Sequence, residues 1–271
     1  MKLTDRCIVI TGAASGIGRA LAVRFAAERP RGLVLADVAP RRDALDALAA
    51  ELARDGAGTG AAVPALAVPC DVGDEAQVRA LVAAADARFG HVDAFFSNAG
   101  LIRDGDETTP NADWQLNWQV HVMAHLYAAR AVLPGMRARG EGYLLSTASA
   151  AGLLTSLPSA TYAVSKHAAI ALAEWLSVKY GAQGIRVSVL CPQAVDTPMI
   201  SGRAGSSAAR ADGVMSVEDV ADCVVAGIER EEFLILPHPQ VIEYFQRKAG
   251  GYDRWLAGMR KFAARLAGGK P

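Results

Sequence analysis

Cysteine is scarce in this chain of 271 residues: Cys7, Cys70, Cys191 and Cys223 stand far apart, and no C-x-x-C pair occurs. No disulfide framework is expected on that count; reduced, buried thiols of a cytoplasmic protein are expected instead. Excess charge of either sign is also missing. Lys plus Arg is 28 and Asp plus Glu is 28, so nothing global draws the chain to nucleic acid or to an anionic membrane. Arg outnumbers Lys 22 to 6, which in so Ala-rich a sequence reflects genome composition rather than phosphate recognition. No apolar run reaches the ~18 residues needed to span a bilayer. The N-terminus, MKLTDRCIVITGAASG, goes straight into a strand and a glycine loop, so no signal peptide is expected. Repeats and long charge runs are absent. With 52% hydrophobic residues the chain is no disordered segment and has ample material for a core.

What is present is an alternation. Short apolar runs at 7–11, 33–37, 65–69, 93–97, 142–147, 185–190 and 233–237 read as strands. They are continuous rather than alternating, the pattern of strands buried on both faces of a parallel sheet. Between them lie helical patterns at 17–29, 41–54, 74–88, 112–138, 159–181 and 217–229. This β-α-β order predicts an α/β, doubly wound sheet with right-handed crossovers. Residues 1–237 form one unit on this pattern, and 238–271 an extension. Within the extension, 238–268 has the pattern of two amphipathic helices broken at Gly250-Gly251. They either dock on the sheet or a neighbouring subunit, or close over a pocket. The small, polar stretch 198–216 reads as a mobile loop.

The first strand runs into Thr11-Gly12-Ala13-Ala14-Ser15-Gly16-Ile17-Gly18 and then a helix. Glycine serves where the backbone takes positive φ or where a phosphate must approach the main chain. The helix start offers free N–H groups and a positive dipole end to a pyrophosphate. The spacing, Gly-x-x-x-Gly-x-Gly, is not the commoner Gly-x-Gly-x-x-Gly. Asp37 ends the second strand, where an acid can accept both ribose hydroxyls of an adenosine and repel a 2′-phosphate. That favours NAD over NADP, although Arg41 and Arg42 stand close by, and a plain helix N-cap is the competing role for Asp37. Asp71-Val72 lies where an adenine edge would pass, and Asn98-Ala99-Gly100 is a tight turn beneath the adenosine ribose.

Tyr162 and Lys166 stand at i and i+4 in a helical stretch, so phenol and ammonium project from one face. A cation about 4 Å from the phenol, at an effective dielectric of about 20, contributes about 4 kcal/mol. That is enough to draw a phenol from about 10 towards neutrality, the range of a general base. Ser149 follows the fifth strand, where a hydroxyl faces the ligand crevice. Ser146 competes with it but falls inside the strand.

Taken together, Thr11-Gly12…Gly16-Ile17-Gly18, Asn98-Ala99-Gly100, Ser149 and Tyr162…Lys166 resemble the short-chain dehydrogenases/reductases, in order over about residues 5–237. The resemblance implies a three-layer Rossmann-type domain with a seven-stranded parallel sheet and NAD(P)-dependent interconversion of alcohol and ketone. It implies Tyr162 as general acid/base, Lys166 lowering its pKa and holding the nicotinamide ribose, and Ser149 orienting the substrate oxygen. It also implies pairing of the helices at 112–138 and 159–181 in a homodimer or homotetramer.

Two departures from the family pattern stand out. His121 occupies the position of a family Asn that holds a relay water; imidazole can hold that water or pass the proton itself, and Asn117 is another stand-in. After the sixth strand the family's Pro-Gly becomes Pro192-Gln193, with Val195 and Thr197 where carboxamide contacts would fall. No metal site is expected. Leu153, Leu154, Leu157, Met199 and Ile200 point to a small hydrophobic alcohol or ketone as substrate. An NADPH-dependent carbonyl reductase and a catalytically silent dinucleotide sensor are the alternatives.

Overall fold

The apolar runs pair side by side in the computed structural model, which describes residues 1–58, 60, 62–201, 210, 212–266 and 268. The strands are β1 (Cys7–Thr11), β2 (Gly32–Asp37), β3 (Ala65–Pro69), β4 (Ala94–Ser97), β5 (Gly142–Thr147), β6 (Ile185–Leu190) and β7 (Leu234–Ile235). All pairings are parallel, in the order β3-β2-β1-β4-β5-β6-β7. The order reverses between β1 and β4, which opens a crevice at their carboxyl ends.

Helices α1 (Gly16–Ala26), α2 (Arg42–Asp55), α3 (Glu75–Phe89), α4 (Asn111–Trp118), α5 (Ala124–Arg139), α6 (Ala160–Tyr180) and α7 (Val217–Glu229) cover both faces. Side chains alternate across each strand. Ile8, Ile10, Leu33, Leu35 and Phe96 pack with Leu21 and Phe25 of α1 and Val224 of α7. Val9, Val34, Phe95 and Leu144 pack on the other face with Leu81 of α3, Val132 of α5 and Ile170 of α6. The result is the three-layer Rossmann-type fold. Edge strand β3 departs from the expected burial, since all five of its residues are only half-buried.

Polar residues set the helix starts. Asp74 accepts from Ala76 N–H (2.8 Å), and Ser216 from Asp219 N–H (3.0 Å), capping α3 and α7. The single helix expected over 112–138 is interrupted: Gln119–Met123 forms a π-helical turn between α4 and α5. Such a turn accommodates one extra residue and is frequent at functional sites. At the other end of the chain, α8 (Gln240–Ala249) and α9 (Tyr252–Leu266) break at Gly250-Gly251 as expected. Val241 is buried, and Phe245 packs against the core. Within 198–216, residues 202–209 and 211 lie outside the described residues. The flanks are joined by a bridge, with Asp196 N–H donating to Met215 O (2.9 Å) and Met215 N–H to Ala194 O (3.1 Å).

The amino-end rim of the sheet is tied by one carboxylate. Asp93 accepts from Cys7 N–H (2.8 Å), Arg31 (2.6 Å) and Arg6 (3.2 Å), and faces His91 Nε2 at 3.2 Å. Burial pushes its pKa up, but these partners outweigh burial and hold it below the ordinary carboxylate value. A depressed native pKa stabilises the fold above the unfolded value, and that stability is lost as pH falls through the native one. Asp93→Ala is therefore expected to cost about 3 kcal/mol in urea unfolding at neutral pH, the low end for breaking a buried pair. Arg6 retains Glu141, which limits the loss. The gap between variant and wild type should close in acid.

Candidate active site

The glycine loop sits at the carboxyl end of β1. Gly12 has φ +66°, and a Cβ there would lie 2.9 Å from Ala99 Cα. A Cβ on Gly18 would lie 2.1 Å from Gly12 O, so α1 can press on the loop only without one. Gly16 (φ +53°) faces Thr197, whose Cγ2 would meet a Cβ at 3.2 Å. Ser15 stands at the N-cap position of α1 but makes no side-chain cap, and no acid lies in the first turn. Ile17 packs half-buried on the core below. The positive end of α1 is thus bare of compensating groups, and these residues fit a dinucleotide pyrophosphate.

Asp37 lies across the loop, its carboxylate accepting from Ala14 N–H (3.0 Å) and Val38 N–H (2.9 Å). Carboxylate oxygens have further lone pairs, so both contacts are compatible with ribose hydroxyls. It caps no helix, which leaves the N-cap role without support. Arg42 pairs with Asp46 at 2.6 Å on its own helix. Asp71 accepts from Gly73 N–H (2.9 Å) in its own turn, while the Val72 side chain is buried in the core.

Asn98 serves the scaffold more than expected. Its amide donates to Thr11 O (3.1 Å), and its carbonyl accepts from Thr147 (3.0 Å), which ties β1, β4 and β5 at the crevice floor. Thr11 Oγ1 accepts in turn from the N–H groups of Asn98 (3.0 Å) and Ala99 (3.1 Å). Thr11 opens the glycine motif in the sequence, but its role as acceptor for the β4 turn does not show there, and Thr147 carries no signal beyond ending β5, on the other side of β4 from Thr11.

Ser149, Tyr162 and Lys166 converge at the end of β5. Ser149 opens a one-turn helix, Ala150–Gly152, accepting from Ala151 N–H (3.1 Å) and reaching Pro192 O (3.4 Å). Gly152 lets this turn lie against α6, where a Cβ would meet Lys166 O at 2.6 Å. Ser159 caps α6 by accepting from Tyr162 N–H (3.2 Å). Lys166 is almost fully buried, donates to Thr147 O (2.8 Å) and lies 5.5 Å from the Tyr162 ring centroid. Ser146 is buried within β5.

The electrostatics of the pair differ from the sequence expectation. Burial pulls Lys166 down to about 7. Burial pushes Tyr162 above its ordinary value, opposed by the Ser149 hydroxyl. Removal from water disfavours both charges, so in the protein alone the phenol is not drawn towards neutrality.

His121 is completely buried in the π-helical turn. Its Nε2 accepts from Leu101 N–H (3.2 Å), which leaves Nδ1–H to donate to Ser165 Oγ (2.9 Å); Ser165 donates onward to Thr161 O (2.7 Å). Burial, with Lys166 adding to it, holds the imidazole well below its ordinary pKa. Both nitrogens are engaged, which leaves none to hold or pass a relay proton. A Cβ on Gly100 would lie 3.6 Å from His121 Nε2 and 3.7 Å from Lys166 Nζ, so this glycine brings the two together. Asn117 donates to Asp113 O (2.8 Å) and is buried one turn away. Pro192 and Val195 are buried behind Ser149, and Gln193 N–H donates to His238 Nδ1 (3.2 Å).

A doubly wound parallel sheet, a glycine turn under a bare helix end, and a Ser-Tyr-Lys group across the same crevice define a dinucleotide-dependent oxidoreductase. The short chain dehydrogenase family model matches residues 6–205, and the chain belongs to that family. It is an NAD(P)-dependent enzyme interconverting alcohol and ketone. It is 38% identical over 239 residues, 87% of this chain and 84% of the relative, to 1-deoxy-11-beta-hydroxypentalenate dehydrogenase of Streptomyces exfoliatus. Among solved structures it is similar to a short chain dehydrogenase/reductase of Burkholderia phymatum in complex with NAD. That likeness has a TM-score of 0.82 at 30% identity and covers 93% of this chain and 96% of that one. A short-chain dehydrogenase of Sphingobium yanoikuyae in complex with NADPH gives a TM-score of 0.77 at 27% identity, covering 93% and 95%. No helix among the described residues is long and apolar enough to cross a membrane.

Proposed function

We propose that the chain is an NAD-preferring dehydrogenase of hydrophobic secondary alcohols, with Tyr162 as general acid/base. The convergence of Ser149, Tyr162 and Lys166 at the end of β5 carries this assignment. The dinucleotide, when bound, supplies the hydride acceptor. Ser149 Oγ donates to the substrate oxygen and fixes it beside the phenol. Tyr162 takes the hydroxyl proton, and Lys166 stabilises the phenolate and holds the nicotinamide ribose. Gly12, Ser15, Gly16, Ile17 and Gly18 hold the pyrophosphate; Asp71, Val72, Asn98, Ala99 and Gly100 flank the adenosine. Pro192, Val195 and Thr197 bound the nicotinamide. The name of the Streptomyces relative, a hydroxypentalenate dehydrogenase, agrees with a hydroxyl group as the site of oxidation.

His121 is a positioning residue in this scheme rather than a relay. It fastens the π-helical turn to α6 through Ser165, which lies between Tyr162 and Lys166 in the helix. Exposed Trp118, Trp175 and Val178 on α4 and α6 support a homodimer or homotetramer built on those helices. Residues 1–237 hold the chemistry, with helices α8 and α9 of the extension docked beside it.

Cofactor choice rests on Asp37. Loss of hydrogen bonds to a charged group costs about 1.5–3 kcal/mol. Asp37→Ala is therefore expected to shift the ratio of kcat/KM for NAD over NADP by about 10–100-fold towards NADP. Steady-state rates with both dinucleotides check this; a wild type that prefers NADP, or a variant with an unchanged ratio, contradicts it.

A further inference from the structure

A second cleft, of about 330 Å³, lies between residues 154–157, α6 and the C-terminal helices α8 and α9. Its size is at the small end of clefts that hold small molecules, about 300–1,000 Å³. Leu154 and Leu157, expected from the sequence beside the substrate, line this cleft together with Trp255, Leu256 and Met259 and make it apolar; Ser149, Tyr162 and Lys166 do not line it. Thr155 on its wall has φ +131°, a strained backbone for a β-branched residue.

The polar end of the cleft is cationic. Lys248 is only 8% exposed; its ammonium donates to Leu153 O (2.6 Å) and stands 3.4 Å from His167 Nε2. His167 Nδ1 lies 2.8 Å from Ala163 O and donates to it, which leaves Nε2 a lone pair to accept from Lys248. Burial keeps this imidazole below its ordinary pKa. Two of the three ammonium protons thus meet neutral acceptors, and Nζ lies 5.6 Å from the ring centroid of Tyr252, which also lines the cleft. Among the described residues no carboxylate reaches ion-pair distance of Lys248 or of Arg260, which also lines the cleft. A buried cation without a counter-charge is unfavourable, and an anion seated there would relieve it. The surrounding field has the same sign: residues 240–266 carry six basic side chains against Glu243 and Asp253, in a chain of zero net charge.

We propose that this cleft binds an apolar monocarboxylate, its hydrocarbon against Leu154, Trp255 and Met259 and its carboxylate on Lys248 and Arg260. The site is independent of the dehydrogenase assignment, and its test needs neither turnover nor dinucleotide. Decanoate and decanol are titrated into the full chain by calorimetry. Decanoate is expected to bind once per chain and about tenfold or more tighter than decanol, as for a charged hydrogen bond. Lys248→Gln should abolish that preference and Lys248→Arg should keep most of it. Arg260→Gln, at an exposed position, should weaken decanoate about tenfold or less, and it serves if Lys248→Gln does not fold. Equal affinity for decanoate and decanol overturns the proposal, as does decanoate binding indifferent to both Gln variants. No decanoate binding, with an oligomer that Leu256→Glu dissociates, assigns the cleft to a second copy of the chain and also overturns it.

Discussion

Tyr162→Phe is expected to lower kcat by about 10²–10⁴-fold, the usual contribution of a positioned general acid or base. The change removes one oxygen and keeps the ring, so the packing of His121 edge-on against it, with centroids 5.4 Å apart, persists. Ser159 caps α6 through the Tyr162 backbone N–H, which the substitution leaves intact. Thermal stability and NAD affinity should therefore stay near wild type while turnover collapses. Burial holds the phenol above its ordinary value in the protein alone. The deprotonated base forms as pH rises, so wild-type alcohol oxidation should climb with pH and the residual rate of the variant should not follow it. A variant retaining wild-type kcat would remove Tyr162 from the chemistry.

His121→Ala is expected to lower kcat on the order of 100-fold, the penalty for misplacing catalytic groups by about 1 Å. It strands Leu101 N–H and frees Ser165, and each buried polar group left without a partner costs about 1–3 kcal/mol of stability. His121→Asn offers an acceptor for Leu101 and a donor for Ser165, so it should restore most of kcat. The pH profile separates positioning from relay. A positioning imidazole leaves the profile of His121→Asn superimposable on wild type; a proton-passing imidazole shifts it.

Much of this organisation is legible in the amino-acid sequence. All seven expected strands fall within a residue or two of their places, because each is a short apolar run closed by turn residues. The glycine turn is legible because few sequences let a helix start against a strand end, and the 2.1 Å approach at Gly18 shows why. The π-helical turn is not legible, since an inserted residue leaves the 3.6-residue periodicity of 112–138 almost unchanged. Nor is the engagement of both His121 nitrogens: Leu101 and Ser165 lie 20 and 44 residues away in sequence. The pKa expectation for Tyr162 misses because it counts the Lys166 charge and omits the burial of both groups. Asn98 illustrates the same limit: its side-chain bonds to Thr11 O and Thr147 join strands far apart in the sequence.

The most direct test of the central claim is isotope transfer. A panel of hydrophobic secondary alcohols deuterated at the carbinol carbon is incubated with the protein and NAD, and the dinucleotide is analysed by mass spectrometry. The dehydrogenase assignment requires deuterium in NADH with the wild type and a matching ketone, with transfer suppressed in Tyr162→Phe. Failure to transfer deuterium from any alcohol to NAD or NADP, by a protein that still binds the dinucleotide and reduces no ketone, would contradict it.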